Sequence, residues 1–228
     1  MTSSSHSSKQ EQQQLAKSNR RTQAERTKTM RNKLLKATIQ SLADNGYAGT
    51  TVGKIAQYAG TSNGTPLHHF ANKAAIIEAA AEYLIKSVSA NTAAILDESS
   101  DTDTSFKSGG VTAWKQMINT PHNAAIIEIL LASKRDEQLR GTVGQLILKM
   151  GFDLVEKSQR WFESTDDRYE LRDLMTILQW VIRGMSLDAH LGKSPQLFDH
   201  YIEVILDLFA NFLTKRKDKE SLNLRPEK

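Results

Sequence analysis

Ser62, Asn63, Thr65, His68, His69 and Lys73 crowd hydrogen-bonding groups into one short stretch of the chain. An asparagine offers a donor and an acceptor together, which suits the N7 and N6 edge of an adenine. Such groups act only if something holds them outward. Immediately upstream, Val52, Ile55, Ala56 and Ala59 make an apolar stripe at helical spacing. Thr51 stands where an N-cap belongs, because its hydroxyl can accept from an orphan backbone N–H. Gly60 can take the left-handed geometry that ends a helix without a Cβ clash. Ser62 or Asn63 then caps a second short helix that exposes Asn63, Thr65, His68 and His69. This is a helix-turn-helix with a polar probe, the geometry that sets side chains into a DNA major groove.

Charge agrees with that chemistry. The chain of 228 residues carries a net +4, but the sign is segregated. Residues 1–73 hold 11 lysines and arginines against 3 acids, a net of +8, and the remainder holds 19 against 23, a net of −4. A basic front and an acidic rear fit a protein that presents one end to a polyanion. Hydrophobic content of 39% and charged content of 25% describe a globular chain. No apolar run approaches the ~20 residues that cross a bilayer, and the polar N-terminus has no secretory core. The absence of cysteine excludes disulfides, thiolate zinc sites and cysteine nucleophiles. A cytoplasmic location is the simplest expectation.

The elements around the probe read as helices throughout, about nine in all, with no strand-period segment. Residues 1–24 are rich in Ser, Gln and Lys and are expected to be a disordered basic arm; Lys17, Arg20 and Arg21 near its end, with Arg26 just beyond, suit a minor groove. A helix from about 24 to 45 buries Leu34, Leu35, Thr38, Ile39 and Leu42 and stops at Gly46. Asn72 caps a long fourth helix that runs to about 96. Residues 97–105 read as a loop, and Gly109 and Gly110 delay the fifth helix to near Val111. Pro121 opens the sixth. The seventh spans about 137–163, the eighth 169–191 and the ninth 195–215. The last two have apolar stripes wider than one partner needs.

A basic first helix, then GYAGTTVGKIAQYAG, then S-x-G-x-x-L-H-H-F-x-x-K and an Ala-rich amphipathic helix resemble the DNA-binding domain of TetR-type (TetR/AcrR) transcriptional regulators over roughly residues 26–85. The resemblance implies an all-α protein. A helix-turn-helix head (25–72) would be followed by a larger helical effector-binding and dimerisation domain (73–216) and a polar tail (217–228). It also implies a homodimer through the last two helices, a palindromic operator and a small-molecule effector that releases a repressor. By the same resemblance Thr51, His68, His69 and Lys73 meet the DNA backbone, while Asn63, Thr65 and Ser62 read bases. Gly64 lets the main chain approach the groove, and Phe70 packs beneath the probe. Three positions depart from the common pattern. Leu67 stands where many members carry a phosphate-binding Tyr and can touch only a thymine methyl. Pro66 requires a helix that begins late, and Gly53 removes a side chain that elsewhere reaches DNA.

The rear domain is expected to enclose a pocket among Trp114, Met117, Phe152, Met175, Gln179, Trp180 and Arg183. Arg183 lies in an apolar helix one turn from Gln179 and, facing inward, needs an anion: Asp188 or a ligand carboxylate. Two other functions compete. A helical enzyme has little to work with: there is no Glu-x-x-His pair and no P-loop, and Asp188 and His190 lack a third group. A nonspecific DNA-coating protein would bind without regard to sequence. No catalytic residue, cofactor, metal or membrane partner is expected.

Overall fold

The computed structural model describes residues 4–99, 105–118, 120–191 and 195–215. The expected polar tail at 217–228 lies outside the described residues. Nine helices are described: α1 (Ser4–Gly49), α2 (Val52–Tyr58), α3 (Thr65–His69), α4 (Lys73–Ser99), α5 (Ser105–Met117), α6 (Pro121–Ser133), α7 (Glu137–Ser158), α8 (Leu171–Leu191) and α9 (Pro195–Ala210). Two short strands, β1 (Phe162–Ser164) and β2 (Leu213–Lys215), complete the described elements. Among the described residues, no helix is long and apolar enough to cross a membrane.

Leu34, Leu35, Ile39 and Leu42 on α1 are all buried, as their spacing requires. They join Ile55, Ala59, Phe70 and the α4 residues Ile76, Ile77, Ala80 and Leu84 in one core. Each leucine, isoleucine or phenylalanine side chain among them contributes about 1.5–3 kcal/mol when fully buried. The core does not break at residue 72, where the head was expected to end. It runs on into Ala125 and Ile129 of α6 and Leu139 and Val143 of α7, and α1 packs most extensively against α6. A second core gathers Trp114, Val155, Trp161, Phe162, Leu174, Met175, Leu178, Ile202 and Leu206 from α5, α7, β1, α8 and α9.

Four local expectations are corrected. First, helix replaces the expected disorder over residues 4–23. Its Gln, Lys, Glu, Arg and Ala residues are good helix formers, and extending a packed helix needs no new nucleus. Second, α5 starts at Ser105 and runs straight through Gly109 and Gly110. A Cβ on Gly110 would lie 2.7 Å from Leu206 Cδ1, so glycine there lets α5 close onto α9. Third, α7 stops at Ser158 and α9 at Ala210, because the residues beyond them pair as antiparallel β1 and β2 in the register Phe162↔Lys215, Glu163↔Thr214 and Ser164↔Leu213. Fourth, α4 extends to Ser99 and α5 takes in Ser105, so helix occupies both ends of the expected loop at 97–105; residues 100–104 are outside the described set.

Other signals hold. Gly46 has φ 68° and breaks α1 three residues before its end. Asn72 Oδ1 accepts from the Ala75 N–H at 2.9 Å, and Thr120 Oγ1 accepts from Asn123 N–H in front of Pro121.

Candidate nucleic-acid interface

Helix α2 is closed at both ends by identified bonds. Thr51 Oγ1 accepts from the Lys54 N–H at 3.2 Å. At the other end Gly60, with φ 56°, donates its N–H to Gln57 O, and Thr61 donates to Ala56 O, each at 3.0 Å. This pair of bonds is the Schellman closure, which needs a residue free to adopt positive φ. The direction in which α3 leaves is thus set by backbone geometry at Gly60.

The probe helix is shorter than its sequence suggested. It begins at Thr65, with Gly64 at the N-cap position and no side-chain cap bond, so neither Ser62 nor Asn63 caps it. Ser62 Oγ instead pairs with Thr65 Oγ1 at 2.9 Å. Pro66 falls in the first turn, where the missing N–H has no helical partner to lose, and it is buried. Phe70 is buried beneath the helix. Outward stand Asn63, Gly64, Leu67 and His68, with Thr65 and His69 partly covered; Thr51 and Ser62 are also exposed on the same assembly. Leu67 leaves half its surface to solvent. The His68 and His69 rings meet edge-on at 5.2 Å between centroids.

Residues from Gly60 to Gly64 also spell Gly-x-Ser-x-Gly, a pattern of hydrolase nucleophiles missed in the sequence. Here it joins two helices, whereas a nucleophile elbow is a strand-to-helix turn beside a histidine.

Arg31 is a positioning residue that local spacing could not reveal. From α1 it donates Nη1–H to the His69 carbonyl at 2.7 Å, occupying an acceptor at the end of α3. Its guanidinium lies over the Phe70 ring, 4.2 Å from the centroid. The contact spans 38 positions in sequence. Burial, followed by His68 and Arg31, pushes the His69 imidazole below its ordinary pKa.

Lys73 is less free than the sequence implied. Its Nζ donates to the Tyr47 carbonyl at 2.9 Å and lies 4.7 Å from the centre of the Tyr47 ring. Burial lowers its pKa. Tyr47 in turn donates its backbone N–H to Glu128 Oε2 and its phenol to Asp136 Oδ2, both at 3.0 Å. Four elements therefore converge on one residue after the Gly46 break. The Asp136 half of this junction had a local signal, an acid ahead of an apolar helix; the Tyr47 half had none.

The expected rear pocket residues do not come together. Trp114 and Met175 are buried in the second core, and Trp114 Nε1–H reaches Asp199 Oδ1 at 3.3 Å. Met117 is half-buried. Phe152 and Trp180 are 65% and 64% exposed, so they wall no interior. Gln179 and Arg183 are partly buried on α8, and no ion pair joins Arg183 to Asp188. Five residues turn a helix by about 500°, which puts those two on different faces. The His190 side chain lies outside the described residues. No group of three or more metal-ligating residues occurs among the described residues.

Residues 34–80 match the family model of the bacterial regulatory proteins of the tetR family. Over 201 residues the chain is 25% identical to the HTH-type transcriptional regulator CymR of Pseudomonas putida, a match covering 85% of this chain and 97% of that protein. A Mesorhizobium loti MAFF303099 protein assigned to the TetR family shares the fold with a TM-score of 0.66 at 14% identity, over 83% of this chain and 98% of its own. A Saccharomonospora viridis protein solved in complex with choline superposes with a TM-score of 0.62 at 20% identity, over 82% of this chain and 98% of its own.

Proposed function

We propose that this chain, whose residues 34–80 match the tetR-family model and whose relatives are transcriptional regulators, is a TetR-family repressor that binds a palindromic operator as a homodimer and leaves it when a small molecule binds. Asn63, Thr65 and Ser62 read bases. Thr51, His68 and His69 meet phosphates, Gly64 lets the main chain close on the groove, and Leu67 touches a thymine methyl. Lys73 shares its ammonium between Tyr47 and the nearest phosphate.

One observation carries the dimer. Ile177, Trp180 and Leu187 on α8 and Leu197, Tyr201, Val204 and Leu208 on α9 are all at least 40% exposed. They recur three, four or seven residues apart, so each set forms a continuous stripe on one face. A second copy covers both, giving a four-helix bundle, and two probe helices then reach half-sites one or more DNA turns apart (about 34–36 Å per turn). The head and α6 share a core, which supports transmission of an effector's binding to the probe by a shift between two arrangements. A body of this size seated on an operator excludes polymerase from overlapping DNA, which supports repression. The DNA lies in the cytoplasm, and the protein acts there.

The test uses duplex DNA flanking the coding region. Sedimentation of the wild-type protein gives a dimer, and footprinting gives a two-fold symmetric site. Trp180→Glu gives a monomer whose operator affinity falls by at least about 100-fold, since two linked probes add their binding free energies. A monomeric wild type, or binding indifferent to sequence that collapses with salt, overturns the reading.

A further inference from the structure

Three polar residues on α8 share a flank and lack what polar groups in that setting need. Gln179, Arg183 and Ser186 follow one another at spacings of four and three, so they line one side of the helix. That side faces α7: Gln179 Oε1 lies 3.5 Å from where a Cβ on Gly151 would stand. Gly144, two turns before Gly151 on the same α7 face, has no atom within 4 Å of its Cβ position, so the face is open there. Gln179 Nε2 and Ser186 Oγ are buried without a hydrogen-bond partner among the described residues. Ser186 is only 2% exposed. Arg183, between them, is half-buried and makes no ion pair or hydrogen bond among the described residues.

Each of these groups costs stability where it stands. An unpaired donor in the interior forfeits its hydration, and a half-buried guanidinium without a counter-ion does so more severely. Burial alone pushes the Arg183 pKa down, so no neighbouring carboxylate offsets its charge. Three such costs in consecutive turns are what a protein keeps when a ligand supplies the missing partners.

We propose that Gln179, Arg183 and Ser186 form the polar end of a ligand site on the α7-facing flank of α8, and that the ligand is a small organic monoanion, a carboxylate on an apolar body. The inference rests on the reading of the chain as effector-responsive. A carboxylate matches the planar fork of Arg183. Its charge is single, as one guanidinium neutralises one charge, and a phosphate dianion would leave an excess in a partly dry site. Gln179 Nε2 and Ser186 Oγ donate to its remaining lone pairs. Met175, Leu178 and Ile182, the next residues round the helix, belong to or pack on the second core, so the rest of the ligand meets apolar surface. A cation such as the choline held by the Saccharomonospora viridis protein is repelled here.

Two measurements test this. Without any ligand, Arg183→Leu and Ser186→Ala are expected to raise the melting temperature by about 2 °C or more at fixed protein concentration, because each removes an unpaired buried group. A fall for Arg183→Leu would show that the guanidinium has a structural partner and would overturn the site. With ligand, octanoate and 3-phenylpropanoate are compared with their primary amides by calorimetry on DNA-free protein. The acids are expected to bind at least about tenfold tighter than the amides, and Arg183→Gln to erase the difference. Acids and amides binding alike, no acid binding at millimolar concentration, or an unchanged Arg183→Gln would each overturn the proposal. Operator release is scored separately. Acids that bind through Arg183 but leave the operator occupied sink the effector reading and keep the site; release by neutral compounds with Arg183→Gln intact does the reverse.

Discussion

Tyr47 donates a hydrogen bond from its phenol to Asp136 Oδ2, 3.0 Å away across 89 positions of sequence. Asp136 is also the N-cap of α7, accepting from the Leu139 N–H at 3.0 Å. The residue that follows the Gly46 break is therefore tied directly to the start of a rear-domain helix. These bonds hold the Asp136 carboxyl below its ordinary pKa, Leu139 contributing most and Tyr47 next. Burial and Asp136 together raise that of Tyr47.

The Tyr47–Asp136 bond has two pH limits. A carboxylate with a depressed folded pKa contributes stability above its unfolded pKa, near 4, and loses it as pH falls through the folded value. A phenol with a raised folded pKa contributes below about 10 and loses it as pH rises through the folded value. Tyr47→Phe is expected to cost about 1–2 kcal/mol in urea unfolding at neutral pH and to lessen the loss of stability at both extremes. A variant as stable as wild type at pH 7 would show that the contact contributes nothing.

Asn63 stands exposed at the approach to α3. Asn63→Ala is expected to cost roughly 1–3 kcal/mol at the operator and to relax preference at one base pair. Titrations against a set of single-base operator variants check this; unchanged discrimination would refute the role.

Arg31 touches Phe70 and the His69 carbonyl, and it is expected to act through them rather than on DNA. Arg31→Ala is expected to lower fold stability by about 1 kcal/mol and to weaken binding to all sequences alike. Fluorescence anisotropy over a salt series separates this from phosphate contact. A slope shallower by about one unit would mean that Arg31 meets DNA directly.

His69 begins with a lowered pKa in the free protein. A histidine of that kind resists protonation, so the unfolded chain takes up its proton first as pH falls below about 6.5, and stability falls with it. A phosphate beside the ring reverses the preference. Operator binding should therefore take up a proton per protomer, with affinity of the dimer rising as pH falls below about 6.5 by at most about two decades per pH unit. His69→Gln should flatten that rise; an identical pH profile in the variant would place His69 away from phosphate.

Features governed by neighbouring residues were legible in the chain alone: the Thr51 cap, the positive φ of Gly46 and Gly60, Asn72 and Pro121 at helix starts, the apolar faces of α1 and α4, and the exposed probe. Each depends on backbone geometry or side-chain periodicity within a few residues, and the same forces act in any tertiary setting. Contacts between distant segments were decided only by the folded molecule. Phe162 and Glu163 read as helix because their strand partners lie some fifty residues on. Gly110 read as a breaker because Leu206 was not in view. Phe152 and Trp180 read as pocket because an apolar side chain carries no mark of which way its helix will turn. Arg31 on Phe70 and Tyr47 on Asp136 follow the same rule: the bonds are ordinary, and only three-dimensional packing brings their partners within reach.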